Sequence, residues 1–361
     1  MPPVIPTELT TFIAGLPKVE LHVHHVGSAS PRIVAELAQR HAGRTPVPTD
    51  PAALADYFVF RDFAHFVEIY LSVVDLIRDE EDVWILTHEV ARELAAQQVR
   101  YAELTVTPYS HVSRGIAAPA FCAAIEDARV RARADFGVEL RWCFDIPGEA
   151  GLPAAEETLR ISLTQAPDGL ISFGLGGPEI GVPRPQFKPY FDQARAAGLH
   201  SVPHAGETTG PQTIWDAIRE LGAERIGHGI SCVRDPELVA FLADRRIPLE
   251  VCPTSNVRTG AIAALAAHPL AEMLTAGLMV TINSDDPPMF GTTLNHEYAV
   301  AAQLAGGGVE RLAELARNGV SAAFLPPADQ ARLLAEIDGY ARSQTAGVDG
   351  ILPAGQHRDD Q

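Results

Sequence analysis

Eight short apolar runs recur along the chain, separated by stretches in which apolar positions return every three or four residues. The runs are VELHVH (19–24), VRYAELTV (99–106), ELRWCFDI (139–146), GLISFGLG (169–176), LHSVPHAG (199–206), ERIGHGI (224–230), PLEVCPTS (248–255) and LMVTINSD (278–285). Apolar runs of this kind read as strands buried on both faces, the form that parallel sheets take. The intervening segments, such as AFCAAIEDARVRARADFG, QTIWDAIRELG and PELVAFLADRR, carry the helical period. Eight strands, each followed by a helical stretch, predict an α/β protein, a (β/α)8 TIM barrel. The interval 31–96 is too long for one crossover and predicts extra helices after the first strand, including FRDFAHFVEIYLSVVDLI (60–77). More helices are expected over 294–343. The reading is one domain over 1–343 and a disordered tail over 344–361.

Composition narrows the function. A chain of 361 residues with 47% hydrophobic and 20% charged residues has ample material for one large core. Its formal net charge of −18 argues against a nucleic-acid partner, because phosphate binding needs a basic surface. The four cysteines are far apart and form no C-x-x-C pair, as expected of reduced thiols. Neither a signal peptide nor a bilayer-length apolar stretch is visible. The expectation is a cytoplasmic protein acting on a small molecule, without a membrane partner.

The candidate chemistry gathers at the strand ends. In β/α barrels the active site lies at the C-terminal face of the strands. His22 and His24 stand two apart at the end of the first run, so both point to one face, with Val23 and His25 turned away. The fifth run ends in HAGE, with His204 and Glu207; the sixth holds GHG, with His228; the eighth ends in SDD, with Asp285 and Asp286. A catalytic zinc takes imidazole and carboxylate donors and keeps one position open for water. His22, His24, His204 and Asp285 could supply the ligands. His228 and Asp286 are placed to orient and deprotonate a water, and Glu207 to protonate the group under attack. This combination suits hydrolysis at an aromatic C–N bond.

HVH followed by a Gly-Ser turn, then HAGE, GHG, CPTSN and NSDDPP in that order, resembles the adenosine deaminase branch of the amidohydrolase superfamily over about residues 10–340. The resemblance implies one zinc per chain on His22, His24, His204 and Asp285, and a purine nucleoside as substrate. It implies that Glu207 protonates ring N1, that His228 orients and helps to deprotonate the water, and that Asp286 holds the hydroxide and reaches N7. The segment LGGPE makes Gly177 the backbone donor to N3. The fourth run carries no lysine at its end, so a two-metal site bridged by a carbamylated lysine is not expected.

Two departures bear on the substrate. Where the family typically has aspartate in an HVHLDG-like run, associated with the ribose 5′-hydroxyl, this chain has HVHHVG and hence Val26. A valine facing a hydroxyl would leave that hydroxyl without a partner, so Val26 favours a nucleoside that lacks a free 5′-hydroxyl. The second strand ends in ELTVTPY, with Thr105 where the family often has a basic residue. Phe63 and Phe66 are candidate apolar lid residues. Members of the family deaminate 6-amino-6-deoxyfutalosine, a 5′-extended intermediate of menaquinone biosynthesis, and this is the expected substrate, with other 5′-modified nucleosides such as 5′-methylthioadenosine as alternatives. Its carboxylate calls for a cation at the rim, with Arg61, Arg114, Arg184 and Lys188 as candidates. Deamination of adenosine or adenine in purine salvage is the alternative, and a barrel that binds a ligand without catalysis is the alternative of another class. His65, His88 and His296 are expected to be surface or packing residues, Cys252 to pack beside the barrel mouth, and Asn256 to serve a turn.

Overall fold

The computed structural model describes residues 5–61 and 63–349. Eight parallel strands follow one another around the sheet in chain order: β1 (Lys18–His24), β2 (Val99–Val106), β3 (Glu139–Pro147), β4 (Leu170–Gly176), β5 (His200–Ala205), β6 (Ile226–His228), β7 (Leu249–Val251) and β8 (Val280–Ile282). This is the (β/α)8 barrel that the apolar runs predict. Residues of the long strands are almost all buried, as a sheet enclosed by helices requires.

The first five strands match their runs to within two residues, whereas the last three are much shorter than the runs. The reason is local. His228 ends β6 with φ +60° and Gly229 follows at +69°, so the chain leaves the extended state at once. Pro253 opens a helix inside the seventh run. Asp285 has φ +67° and turns the chain just beyond β8. Each early end is where a polar residue is turned toward the barrel mouth.

The seam between β8 and β1 is narrow. A single bridge pairs Val23 with Asp285. There the Asp285 amide donates to the His22 carbonyl (3.1 Å) and the His24 amide to the Asp285 carbonyl (2.9 Å). Side chains complete the closure: Leu21 donates its amide to Asn283 Oδ1 (2.9 Å) and Ser284 donates its amide to Glu20 Oε1 (2.9 Å).

Four helices fill the insertion after β1, at Pro31–Arg40, Pro51–Tyr57, Phe63–Val74 and Glu80–Ala96. Their starts follow from sequence: Ser30 and Asp50 cap the first two ahead of a proline, and Asp79 with Asp82 forms a capping box for the fourth. Three helices follow β8's short terminal turn, at Leu294–Ala305, Gly308–Ala322 and Pro327–Asp349. The last is helical through Asp349, so residues 344–349 continue a helix rather than begin a disordered tail; 350–361, with His357, lie outside the described residues. The four cysteines are buried and unpaired. No helix among the described residues is long and apolar enough to cross a membrane.

Glu297 ties this C-terminal part to the mouth. Its buried carboxyl accepts the amide of Thr254 (3.0 Å) and the hydroxyl of Thr292. Burial pushes its pKa up to about 7. A carboxyl whose pKa rises on folding contributes stability that is complete below its unfolded pKa and is lost as pH climbs through 7. Glu297→Gln, which stays neutral, should therefore gain on the wild type by roughly 1–3 kcal/mol between pH 5 and pH 8. Urea titrations at both pH values read this directly, and an unchanged difference would refute it.

Candidate active site

The strand ends bring the sequence-predicted donors together. His24 Nε2 lies 3.3 Å from Asp285 Oδ1 and 3.3 Å from His204 Nε2. His22 Nε2 stands 3.8 Å from Asp285 Oδ1, and the His22 and His204 rings are 4.5 Å apart between centroids. Donor atoms bound to a tetrahedral ion at about 2.1 Å stand about 3.4 Å from one another, so these separations fit a single ion. His22 supplies a second test. Its Nδ1 is engaged by Glu250 Oε2 at 3.0 Å, while its buried Nε2 has no hydrogen-bond partner. A carboxylate accepting from Nδ1–H leaves the Nε2 lone pair aimed at the cluster, the usual arrangement behind a metal-binding histidine.

Electrostatics agree. Burial holds His22 and His204 below the usual histidine range, which keeps their lone pairs available. Burial also opposes ionisation of Asp285, but His24, His228 and His22 outweigh it and hold the carboxyl low. Burial likewise disfavours charge on His24, yet Asp286, Asp285, Asp145 and Glu207 together lift its pKa above normal. Cys252 Sγ also stands near His228 and Asp285, but burial drives its thiol far up and keeps the proton on sulfur.

Behind this ring lies a buried charge chain. Arg225 donates to Glu250 Oε1 (2.6 Å) and pairs with Glu103, which also accepts the Tyr101 hydroxyl (2.8 Å). Each buried charge is thus paired, and Glu250 is held against His22.

The residues expected to do acid–base work flank the cluster. Glu207 Oε2 is 3.7 Å from His228 Nε2, and Thr259 donates its hydroxyl to Glu207 Oε1 at 3.0 Å. Burial pushes Glu207 above the usual carboxylate range. Asp286 is buried, its pKa raised chiefly by that burial, and its Oδ1 has no partner among the described residues. A Cβ on Gly27 would lie 1.6 Å from that oxygen, so the Gly-Ser turn after HVHHV exists to let Asp286 in. Gly177 has φ +75°, and a Cβ there would lie 2.2 Å from Glu149 Oε2. Ser255 donates to Asp285 Oδ2 at 2.6 Å.

Other expectations need correction. Asn256 is not a turn residue; it is buried in the helix Pro253–Arg258, with Nδ2 3.2 Å from His228 Nδ1. Arg184 is buried and donates to the carbonyls of His204 and Val182, so it braces the strand ends rather than lining a rim. Lys188 pairs with Asp192 and Arg114 with Asp75. His25 turns away from the cluster and meets Thr87 at 2.8 Å. Phe66 packs at 4.9 Å on Phe290 and at 5.3 Å on Phe60; the side chain of Phe63 lies outside the described residues. Val26 is buried.

Sequence reading missed Asp145 and Tyr70. Asp145 ends β3 buried, accepts the Thr107 hydroxyl at 2.6 Å, and is pushed up to about 6 by burial. Tyr70, on the helix Phe63–Val74, is raised well above its usual pKa by burial and by Asp286 and Asp145. The signal for Asp145 was an acid near the C-terminal end of a strand run, the end that faces the barrel mouth.

With this geometry in view, the model of the family described as adenosine deaminase matches residues 17–340. The chain belongs to the adenosine deaminase family. It is 66% identical over 346 residues to the aminodeoxyfutalosine deaminase of Streptomyces coelicolor, covering 95% of this chain and 89% of that one. Among solved structures, an adenine deaminase from Arthrobacter aurescens aligns with TM-score 0.86 and 33% identity, covering 91% of this chain and all of that one. A zinc-bound amidohydrolase from Burkholderia ambifaria aligns with TM-score 0.85 and 26% identity, covering 95% and 96%. The family places the chain among hydrolytic deaminases, in agreement with the donor cluster.

The Glu250 contact generates a prediction. Glu250→Gln keeps the volume but weakens the hold on His22, and divalent-metal affinity should fall about 10- to 100-fold. Competition with a chelator, read by retained metal per chain, measures it; wild-type affinity in the variant would remove Glu250 from the site.

Proposed function

We propose that this chain is a zinc-dependent hydrolytic deaminase of a 5′-extended 6-aminopurine nucleoside, with 6-amino-6-deoxyfutalosine of menaquinone biosynthesis as its substrate. The observation that carries the reaction is the convergence of three imidazoles and Asp285 on one point, flanked by Glu207 and Asp286. The substrate rests on Val26 and on the similarity to an aminodeoxyfutalosine deaminase over nearly the whole chain.

His22, His24, His204 and Asp285 would hold the zinc, which when bound lowers the pKa of a water toward neutrality. Glu207, whose carboxyl burial pushes above the usual carboxylate range, would donate a proton to purine N1, and that proton stays in the 6-oxopurine product. Protonation at N1 opens C6 to attack by water. His228 orients the water, while Asp286 takes one of its protons and passes it to the amino group, which leaves as ammonia. The second water proton restores Glu207. The backbone amide of Gly177 donates to N3, and its positive φ allows the plane of the ring to approach the chain.

The 5′ extension would leave the ribose past Val26 and run along the aromatic surface of Tyr70, Phe66, Phe290 and Phe60. Arg258 stacks on Phe60, its guanidinium carbon 4.3 Å from the ring centroid, and among the described residues no carboxylate stands within ion-pair distance of it. We take Arg258, ahead of Arg61, Arg114 and Lys188 and in place of the buried Arg184, as the cation for a substrate carboxylate.

Loss of 6-aminopurine absorbance should be fastest by far with 6-amino-6-deoxyfutalosine when it is compared with 5′-methylthioadenosine and adenosine. Adenosine as the best substrate would overturn the assignment. Glu207→Gln should lower kcat about 100- to 10,000-fold while leaving ligand binding intact. Arg258→Met should raise KM about 10- to 100-fold for the carboxylate substrate and leave 5′-methylthioadenosine nearly unaffected; equal effects on both would exclude Arg258 as the anchor.

A further inference from the structure

We infer that Asn256 and His268 are positioning residues that fix the tautomer of His228, so that His228 faces the reacting water as a hydrogen-bond donor and not as a base. This rests on the deaminase reading above.

The direction of each bond in the chain follows from its far end. The amide of Leu270 donates to His268 Nδ1 at 3.1 Å, and a backbone N–H can do nothing else. His268 Nδ1 is therefore unprotonated, and a neutral imidazole with a bare Nδ1 carries its proton on Nε2. That Nε2–H lies 3.2 Å from Asn256 Oδ1, which must accept it. With the Asn256 oxygen so occupied, its amide nitrogen is the atom turned to His228, 3.2 Å from Nδ1. An amide NH2 only donates, so His228 Nδ1 is the acceptor and His228 carries its proton on Nε2. The Nε2–H projects into the site, 3.7 Å from Glu207 Oε2 and 3.8 Å from Asp285 Oδ2.

Every member of the chain is buried. His228 and His268 are 1% and 7% exposed and Asn256 is fully enclosed, so water does not compete for these bonds. Burial also holds His268 down to about 4, which keeps the ring neutral at working pH. The surroundings of His228 agree: the carboxyl oxygens of Glu207 and Asp285 that face its Nε2 can accept, and the other groups on that side are the imidazoles of His22 and His204. A histidine already protonated on the nitrogen that meets the water has no lone pair there to receive a second proton. Its service is to donate to the water oxygen and to the oxygen that becomes the C6 carbonyl, and removal of the water proton falls to Asp286. Atoms balance as in the proposed reaction, in which Asp286 already carries that proton to the leaving amino group.

The decisive measurement is a long-range nitrogen–proton correlation spectrum of the zinc-loaded enzyme with 15N-labelled histidine, assigned through His228→Gln and His268→Gln. Both His228 and His268 should show the pattern of the Nε2–H tautomer between pH 6.5 and 8. His228 protonated on Nδ1 would overturn the inference. Asn256→Asp supplies a second readout: a carboxylate beside Nδ1 draws a proton to that nitrogen, so His228 should change its spectral signature. Its kcat should also fall at least 10-fold, with KM changed less than 3-fold and a pH profile unlike that of the wild type. Asn256→Asp with wild-type His228 resonances and pH profile would equally sink the proposal. Failure of the deaminase reading shows separately, as a wild-type enzyme without turnover on any 6-aminopurine.

Discussion

The backbone of Asp285 closes the barrel, and its side chain occupies the centre of the polar cluster. Its amide and carbonyl make the bridge across the β8–β1 seam, and it does so at φ +67°, a region costly for a residue with a side chain. Two strand-pairing bonds, the Ser255 hydroxyl and the surrounding imidazoles offset that cost. Closure of the fold and placement of the carboxylate are therefore one event. A barrel whose seam opens cannot keep Asp285 beside His24, and an Asp285 that relaxes to an ordinary conformation cannot keep the seam.

The same economy governs the layer beneath. Buried carboxylates are tolerable only when paired, and here Glu250 is divided between Arg225 and His22. The pairing that makes Glu250 affordable also sets the tautomer of His22. On the opposite wall, a neutral chain from Leu270 through His268 and Asn256 does the corresponding work for His228. One histidine is held with its lone pair toward the site and the other with its proton toward it, by second-layer partners of opposite character.

Much of this was legible in sequence because strands that are buried on both faces announce themselves as apolar runs. A barrel then tells where their ends must meet. His22, His24, His204, Glu207, His228, Asp285 and Asp286 all sit at such ends, so pattern and topology were enough to gather them. Asn256 and His268 were illegible for a physical reason. Each is an unremarkable polar residue on a short helix or loop, and its meaning comes only from what it touches across space. Arg184 failed as a rim cation because local sequence does not disclose that its guanidinium is buried and donates to two backbone carbonyls. Strand lengths failed at β6, β7 and β8 for a related reason, since a run stays apolar after the backbone has turned.

The insertion between β1 and β2 has a wider meaning. Phe60 and Phe66 of this excursion pack on Phe290, Phe60 also on Arg258, and Tyr70 packs on Phe66, all apart from the imidazoles. None of the seam contacts or the buried charge chain passes through it. The polar cluster, locked by closure of the barrel, is thus structurally separate from this aromatic excursion. On the proposed function, substitutions in the excursion would exchange one nucleoside tail for another without disturbing the residues proposed to break the C–N bond.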